Sequence, residues 1–121
     1  MKTIYVMLWI GLFAACSNPK SKSPEEVTQL VLESFYAQDN EQLQTYTTQT
    51  GYQGLKQIQN FFIETSETEM DFKVVHQTQN GDTAWVQFNI NYLDRPETFK
   101  LIREDGQWKV TEKGLREKSP F

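Results

Sequence analysis

Reactive side chains are scarce in this sequence. The chain has one cysteine, Cys16, and one histidine, His76, among its 121 residues. A single cysteine excludes an internal disulfide bond, and so few sulfur and nitrogen ligands disfavour a transition-metal site. The Gly-x-Ser-x-Gly motif of many hydrolases and the glycine-rich phosphate-binding loop are also missing. We therefore expect neither a metal nor a cofactor.

An excess of positive charge is missing as well. The chain carries 12 lysine and arginine residues against 16 aspartate and glutamate residues, for a formal net charge of −4. Proteins that bind nucleic acids or anionic membrane surfaces by charge are usually basic. The composition therefore argues against a nucleic-acid partner.

Only one stretch of the sequence is strongly apolar. Residues 4–13 form a run of about ten residues, which is within the range of a secretory signal and below the ~20 residues that cross a bilayer. Lys2 precedes the run, and Ala14 and Ala15 follow it as small residues suited to a cleavage site. We predict that residues 1–15 are a signal peptide.

Cys16 follows this leader directly, in the run LFAAC at residues 12–16. The run resembles the lipobox of bacterial lipoproteins, although Phe13 stands where leucine is usual. The resemblance implies that Cys16 is acylated and that it anchors the protein to a lipid bilayer of the bacterial cell envelope. Residues 17–23 are polar and have no apolar periodicity, so we expect the segment 16–22 to form a flexible tether. The alternative is an ordinary cleaved signal followed by a free thiol, which would invite intermolecular pairing in an oxidising compartment.

The residue after the cysteine bears on the destination within the envelope. In enterobacterial-type sorting, an aspartate at this position retains a lipoprotein in the inner membrane, whereas this chain has Ser17. The resemblance therefore implies the periplasmic face of the outer membrane in a Gram-negative cell.

Helical patterns fill the first half of the remaining chain, which has the size of one domain. Ser23, Pro24 and Glu26 have the spacing of a capping box with proline at the first helical position. Apolar residues follow Glu26 in the sequence at helical intervals, which predicts a helix that ends near Gln38.

Two more helices are predicted after the first. Asp39 or Asn40 is suited to cap a short second helix, and the polar residues 47–51 predict a loop. Leu55 and Ile58 belong to an apolar stripe with the spacing of a third helix.

From residue 70 the apolar period changes to two, which is typical of strands. Alternation is clearest from Ala84 to Tyr92, and Asn80-Gly81-Asp82 and Glu104-Asp105-Gly106 predict tight turns. Helices followed by an antiparallel meander predict an α+β fold, in which the N-terminal helices pack on one face of the sheet. We expect residues 113–121 to form a charged tail, in which Leu115 and Phe121 are able to dock.

The opening SPEEV helix at residues 23–27 and the final hairpin FKLIREDGQWKV at residues 99–110 resemble the DUF4878 lipoproteins. These are small bacterial domains of the NTF2-like (cystatin-like) superfamily. The resemblance covers residues 23–112, and it implies a cone formed by helices and a curved antiparallel sheet, often with a pocket. The superfamily includes enzymes, transport factors and binding modules, so the resemblance does not select an activity.

His76 is the candidate for catalysis. Its spacing from Phe72 and Val74 places all three on one face of a strand, which would direct His76 towards the helices. A small pocket enzyme, such as an isomerase, dehydratase or hydrolase, could use it as a general base beside a carboxylate. The alternative is a histidine without chemistry near the end of a strand.

Trp85 and Tyr92 are the candidates for ligand or partner binding. Trp85 falls on the polar face of its strand, where a tryptophan often contacts a partner, or else packs on a neighbouring strand or the C-terminal tail. Trp108 is expected in the core. Because no catalytic motif is present, our leading hypothesis is a non-enzymatic envelope protein that binds an envelope protein or a small apolar ligand. A spacer subunit without a pocket is the third possibility.

Overall fold

The computed structural model describes residues 22–65, 71–91 and 93–121 of the chain. Within these ranges, three helices precede a four-stranded antiparallel sheet, as predicted from the change of period. The helices are α1 (Pro24–Ala37), α2 (Asn40–Thr45) and α3 (Gln49–Thr65). The strands are β1 (Phe72–Asn80), β2 (Thr83–Ile90), β3 (Glu97–Glu104) and β4 (Gln107–Thr111), in the spatial order β1-β2-β3-β4.

Helix α1 begins with the predicted capping box. The backbone N–H of Glu26 donates to the Ser23 hydroxyl at 3.1 Å, and the N–H of Ser23 donates to the Glu26 carboxylate at 2.9 Å. Two backbone donors of the first turn are thereby satisfied, and Pro24 costs nothing at a position that has no helical partner for its nitrogen. The helix ends at Ala37, and its C-cap residue Gln38 adopts a left-handed conformation with φ of 59°.

Helix α3 begins earlier than predicted. Residues 49–51 are helical, because the Thr48 hydroxyl accepts the Gly51 N–H at 3.1 Å in the manner of an N-cap. The loop prediction for residues 47–51 was therefore wrong at its C-terminal end. Hydroxyl-rich segments are typical both of loops and of helix starts, so composition alone could not separate the two.

The sheet has one face against the helices. Alternate residues of β2 are buried, and α1 packs on β1, β2 and β4 while α3 packs on β4. The core consists of apolar side chains from α1, α2 and three strands, and its buried members are Val27, Val31, Leu32, Phe35, Leu43, Ala84, Val86, Phe88, Ile90, Leu101, Trp108 and Val110. Trp108 is in the core as predicted.

The free edge of β4 is covered by the chain that links α2 to α3. Thr47 forms a parallel bridge with Val110, whose N–H donates to the carbonyl of Tyr46 at 2.9 Å. The Val110 carbonyl accepts the N–H of Thr48, also at 2.9 Å. This approach requires Gly51, since a Cβ atom there would lie 2.7 Å from the Val110 carbonyl oxygen.

A β-bulge interrupts β1. Val74 pairs with Phe88 of β2, but His76 pairs with Gln87, so Val75 is an extra residue in the strand. One added residue exchanges the two faces of everything that follows it. His76 therefore lies on the face away from the helices, and the prediction that it shares a face with Phe72 and Val74 was wrong.

The C-terminal tail returns across this outer face of the sheet. The Lys100 ammonium of β3 forms an ion pair with Glu117 at 2.8 Å, and the Phe121 ring stacks on His76 of β1 with centroids 5.1 Å apart. Leu115 is fully exposed. The tail therefore docks through Glu117 and Phe121.

Candidate functional site

An open pocket lies between the helices and the sheet. Its volume is about 100 Å³, and it is located where the C-terminal half of α1 and the middle of α3 face the ends of β2 and β3. The lining is apolar apart from one carboxyl and one phenol group, and it consists of Val31, Leu32, Phe35, Tyr36, Leu55, Ile58, Ile90, Leu93, Glu97 and Phe99.

Helix α1 supplies the rear wall of the pocket. Val31, Leu32 and Phe35 lie on the stripe of α1 that faces the core, and all three are buried. Tyr36 is held at the end of the helix by two rings: it makes an edge contact with Phe35 at a centroid distance of 5.0 Å and stacks on Phe72 at 6.0 Å. The pocket wall is therefore set by packed aromatic side chains.

Glu97 is the only charged residue in this lining. It is the first residue of β3, and its pairing with the fully buried Phe88 places it on the sheet face that meets the helices. Solvent still reaches the side chain, yet partial burial raises the pKa of its carboxyl above the ordinary value of 4.5. Within the described ranges, no hydrogen bond or ion pair reaches this carboxyl group.

The size and lining of the pocket limit what it can hold. An apolar cavity of about 150 Å³ accommodates one benzene molecule. A pocket of about 100 Å³ is smaller than that cavity but open to solvent, so it can take a short branched alkyl group or part of one small ring, with the remainder of a ligand outside. The carboxyl of Glu97 offers such a ligand one polar contact at the pocket mouth.

The structure separates His76 from this pocket. His76 is exposed on the outer face of the sheet, and its described contact is the stacked ring of Phe121. No carboxylate in the described part of the chain forms an ion pair or hydrogen bond with it. The arrangement that a histidine general base requires is therefore not formed among these residues.

Trp85 also lies on the outer face. It is half-buried between β1 and β3, where it pairs with Thr78 on one side and Lys100 on the other. The Lys100 ammonium lies 5.9 Å from the centroid of the indole ring. Because Lys100 also binds Glu117, the tail is linked to Trp85 through this lysine. Trp85 is thus remote from the pocket and packs on a neighbouring strand.

Two further predicted site residues, Cys16 and Tyr92, lie outside the described residues. Within the described ranges, no three histidine, cysteine, aspartate or glutamate side chains come together as a metal site would require. In the same ranges, no helix has the length and hydropathy to cross a membrane.

Glu97 was not predicted from the sequence as a pocket residue. The run Asp94-Arg95-Pro96-Glu97 has the composition of a turn, so composition alone places Glu97 outside the strand. The spacing of residues in β3 could have identified it. Glu97, Phe99 and Leu101 are each two residues apart, so they share one face of the strand.

Comparisons with known proteins support the fold. No family model matches the chain, and no curated protein matches it. Among solved structures, a candidate NTF2-like transpeptidase from Campylobacter jejuni superimposes with a TM-score of 0.62 at 16% identity, over 76% of this chain and 100% of the other.

A candidate calcium/calmodulin-dependent protein kinase type II association domain from Thiobacillus denitrificans gives a TM-score of 0.55 at 14% identity, over 76% of this chain and 92% of the other. Identities this low carry information about fold alone. These two superpositions, together with the three described helices packed on a four-stranded antiparallel sheet, show that this chain has an NTF2-like fold.

Proposed function

We propose that this protein is a lipid-anchored bacterial envelope protein whose NTF2-like domain binds a small apolar ligand without catalysing a reaction. The observation that carries the binding role is the open apolar pocket between α1, α3 and the sheet. A concave, mainly apolar site with few polar groups is the usual form of a small-molecule site. A pocket in this place also argues against a pure spacer role.

The anchoring role is carried by Cys16 and the run that precedes it. Residues 17–23 are polar, and α1 begins at Pro24 with its own cap. Seven extended residues span up to about 25 Å, which is enough to hold the domain clear of lipid headgroups. Two or more acyl chains on one cysteine give stable membrane attachment, whereas a single chain does not.

Ligand binding is tested by ligand-observed NMR on the purified full chain, with benzyl alcohol as the probe. We expect saturation-transfer signals from the ring that Leu55→Gln weakens at least about fivefold, since it places an amide in the apolar wall. The matched control is Leu115→Gln, which makes the same change at a fully exposed position and should leave the signals intact. Equal signals from both variants would exclude this pocket as the binding site.

Anchoring is tested by membrane fractionation of a Gram-negative host that expresses the full chain. Wild-type protein should sediment with outer membranes, and its N-terminal peptide should carry acyl groups in mass spectra. Cys16→Ser should remove the acyl groups and release the protein or leave it unprocessed, whereas Ser17→Ala should behave as wild type. An unmodified Cys16 in the membrane fraction would refute the proposed anchor.

A pocket enzyme is the alternative function, and its original candidate base was His76. That residue is on the opposite face of the sheet from the pocket lining. An enzyme at this pocket would instead depend on Glu97, which has a raised carboxyl pKa as a general base often does. Among the described lining residues, only the phenol of Tyr36 accompanies it, with no histidine, lysine, arginine or second carboxylate, which is why we favour binding over catalysis.

A further inference from the structure

We propose that the pocket selects ligands in which a positively charged nitrogen adjoins a small apolar group. The inference rests on the proposed ligand-binding function and names the ligand class. It is carried by the position of Glu97, a carboxyl group that enters an otherwise uncharged lining from the first residue of β3.

The first step is that the carboxyl group has unused capacity. An ionised carboxylate offers about four acceptor positions. Throughout the described residues, no N–H or O–H group donates to Glu97, and no ion pair joins it to Arg95 two residues earlier. A carboxylate that is partly removed from water gains most from a cationic donor, because charge-assisted hydrogen bonds are stronger than neutral ones.

The second step is that the surroundings of Glu97 suit a cation better than an anion. The rings of Tyr36 and Phe99 both line the pocket, and the faces of aromatic rings attract cations. The lining holds no lysine, arginine or histidine that could bind an anionic ligand. A ligand that carries a carboxylate would therefore be repelled by the Glu97 carboxylate, and no cationic side chain in the lining would offset this repulsion.

The third step sets the size of the apolar group. The open pocket of about 100 Å³ admits a short branched alkyl group or part of one small ring. With that group against Val31, Leu32 and Leu55, a charged nitrogen one bond away lies towards the mouth. The ligand class is thus a compact arylalkyl or alkyl ammonium compound.

The experiment compares three probes of nearly equal size on the purified full chain: benzylamine, benzyl alcohol and benzoate. At neutral pH we expect benzylamine to bind about tenfold more tightly than benzyl alcohol, and benzoate to bind most weakly. Glu97→Gln should bind benzylamine and benzyl alcohol with about equal affinity. Its affinity for benzyl alcohol should stay within about twofold of the wild-type value. Glu97→Lys should reverse the order and favour benzoate.

The matched control is Glu104→Gln, which removes the same charge from the same strand on the outer face of the sheet. It should keep the wild-type preference, because the effect is local to the pocket. Equal affinity of wild-type protein for benzylamine and benzyl alcohol would overturn this inference and leave the proposed function standing. Failure of all three probes to bind would refute both.

Discussion

Glu97 lies directly opposite Phe88 in the pairing of β3 with β2, so a carboxyl group occupies the same sheet face as a fully buried phenyl ring. Most strand positions on that face are filled by apolar side chains. A carboxyl group can occupy this position because Glu97 lines an open pocket and solvent still reaches its side chain.

This position predicts a specific dependence of stability on pH. Burial raises the pKa of Glu97 above 4.5, so the folded state holds this proton more tightly than the unfolded state. Its contribution to stability is therefore complete below pH 4.5 and is lost as pH rises through the higher pKa of the folded state. We expect the stability of wild type relative to Glu97→Gln to fall across that window, as measured by urea unfolding at a series of pH values. Parallel curves would contradict the raised pKa.

The C-terminal tail should respond to pH in the opposite direction. The hydrogen bond from Lys100, followed by the Gly114 N–H, lowers the pKa of the Glu117 carboxyl below 4.5. The attachment is therefore complete above pH 4.5 and is lost as pH falls through the lower pKa of the folded state. We expect the heteronuclear NOE of the Gly114 amide to drop in acid.

Lys100→Met should produce the same loss of order in the tail at neutral pH, because it removes the ammonium group that holds Glu117 at 2.8 Å. Lys118→Met is the control, since it removes a lysine from an exposed position of the same tail. A rigid Gly114 amide in Lys100→Met would show that the ion pair does not hold the tail.

Two glycines of α3 should respond oppositely to the same substitution. Gly51→Ala would place a Cβ atom 2.7 Å from the Val110 carbonyl oxygen, which is backbone and cannot move aside cheaply. We expect it to lower the free energy of unfolding by about 1–3 kcal/mol or more. Gly54→Ala meets its nearest atom at 3.9 Å and should raise stability by about 0.5–1 kcal/mol, the usual gain for alanine in a helix. Chemical denaturation of both variants measures the contrast, and equal effects would refute the close approach.

Gln59 should contribute far more to the free energy of unfolding than Gln57 of the same helix. The buried amide of Gln59 donates to the Phe35 carbonyl at 2.9 Å and to Asn40 Oδ1 at 3.1 Å, which joins α3 to α1 and α2. Gln59→Ala removes both bonds from a buried site and should cost about 1–3 kcal/mol. Gln57→Ala acts at an exposed position of the same helix and should stay within about 0.5 kcal/mol. Thermal unfolding of the two variants is the test, and a small effect at both sites would contradict the role of Gln59.

Much of this fold follows from local signals in the sequence. The capping box at Ser23 and Glu26 and the turn at Asp105 and Gly106 depend on residues within a few positions of one another. The alternation of β2 is also local, because one face of the strand is buried along its whole length. Patterns of this kind can be identified without knowing what packs against them.

The features that were missed depend on pairing between distant residues. The bulge at Val75 lies between Val74 and His76, where the sequence contains no glycine or other sign of an irregular strand. The role of Glu97 depends on its pairing with Phe88 and on the cover provided by α1. Neither relationship is contained in the spacing of residues along one segment.

The bulge at Val75 has a consequence for how relatives of this protein should be aligned. Before it, even-numbered positions such as Val74 face the helices; after it, odd-numbered positions such as Gln77 do. In relatives that keep the bulge, the positions that face the helices should therefore switch from even-numbered to odd-numbered residues at Val75. A relative that had lost Val75 by deletion would still pair its histidine with the equivalent of Gln87 and keep the imidazole on the outer side of the sheet, so the deletion would straighten the strand without moving any later side chain to the other face.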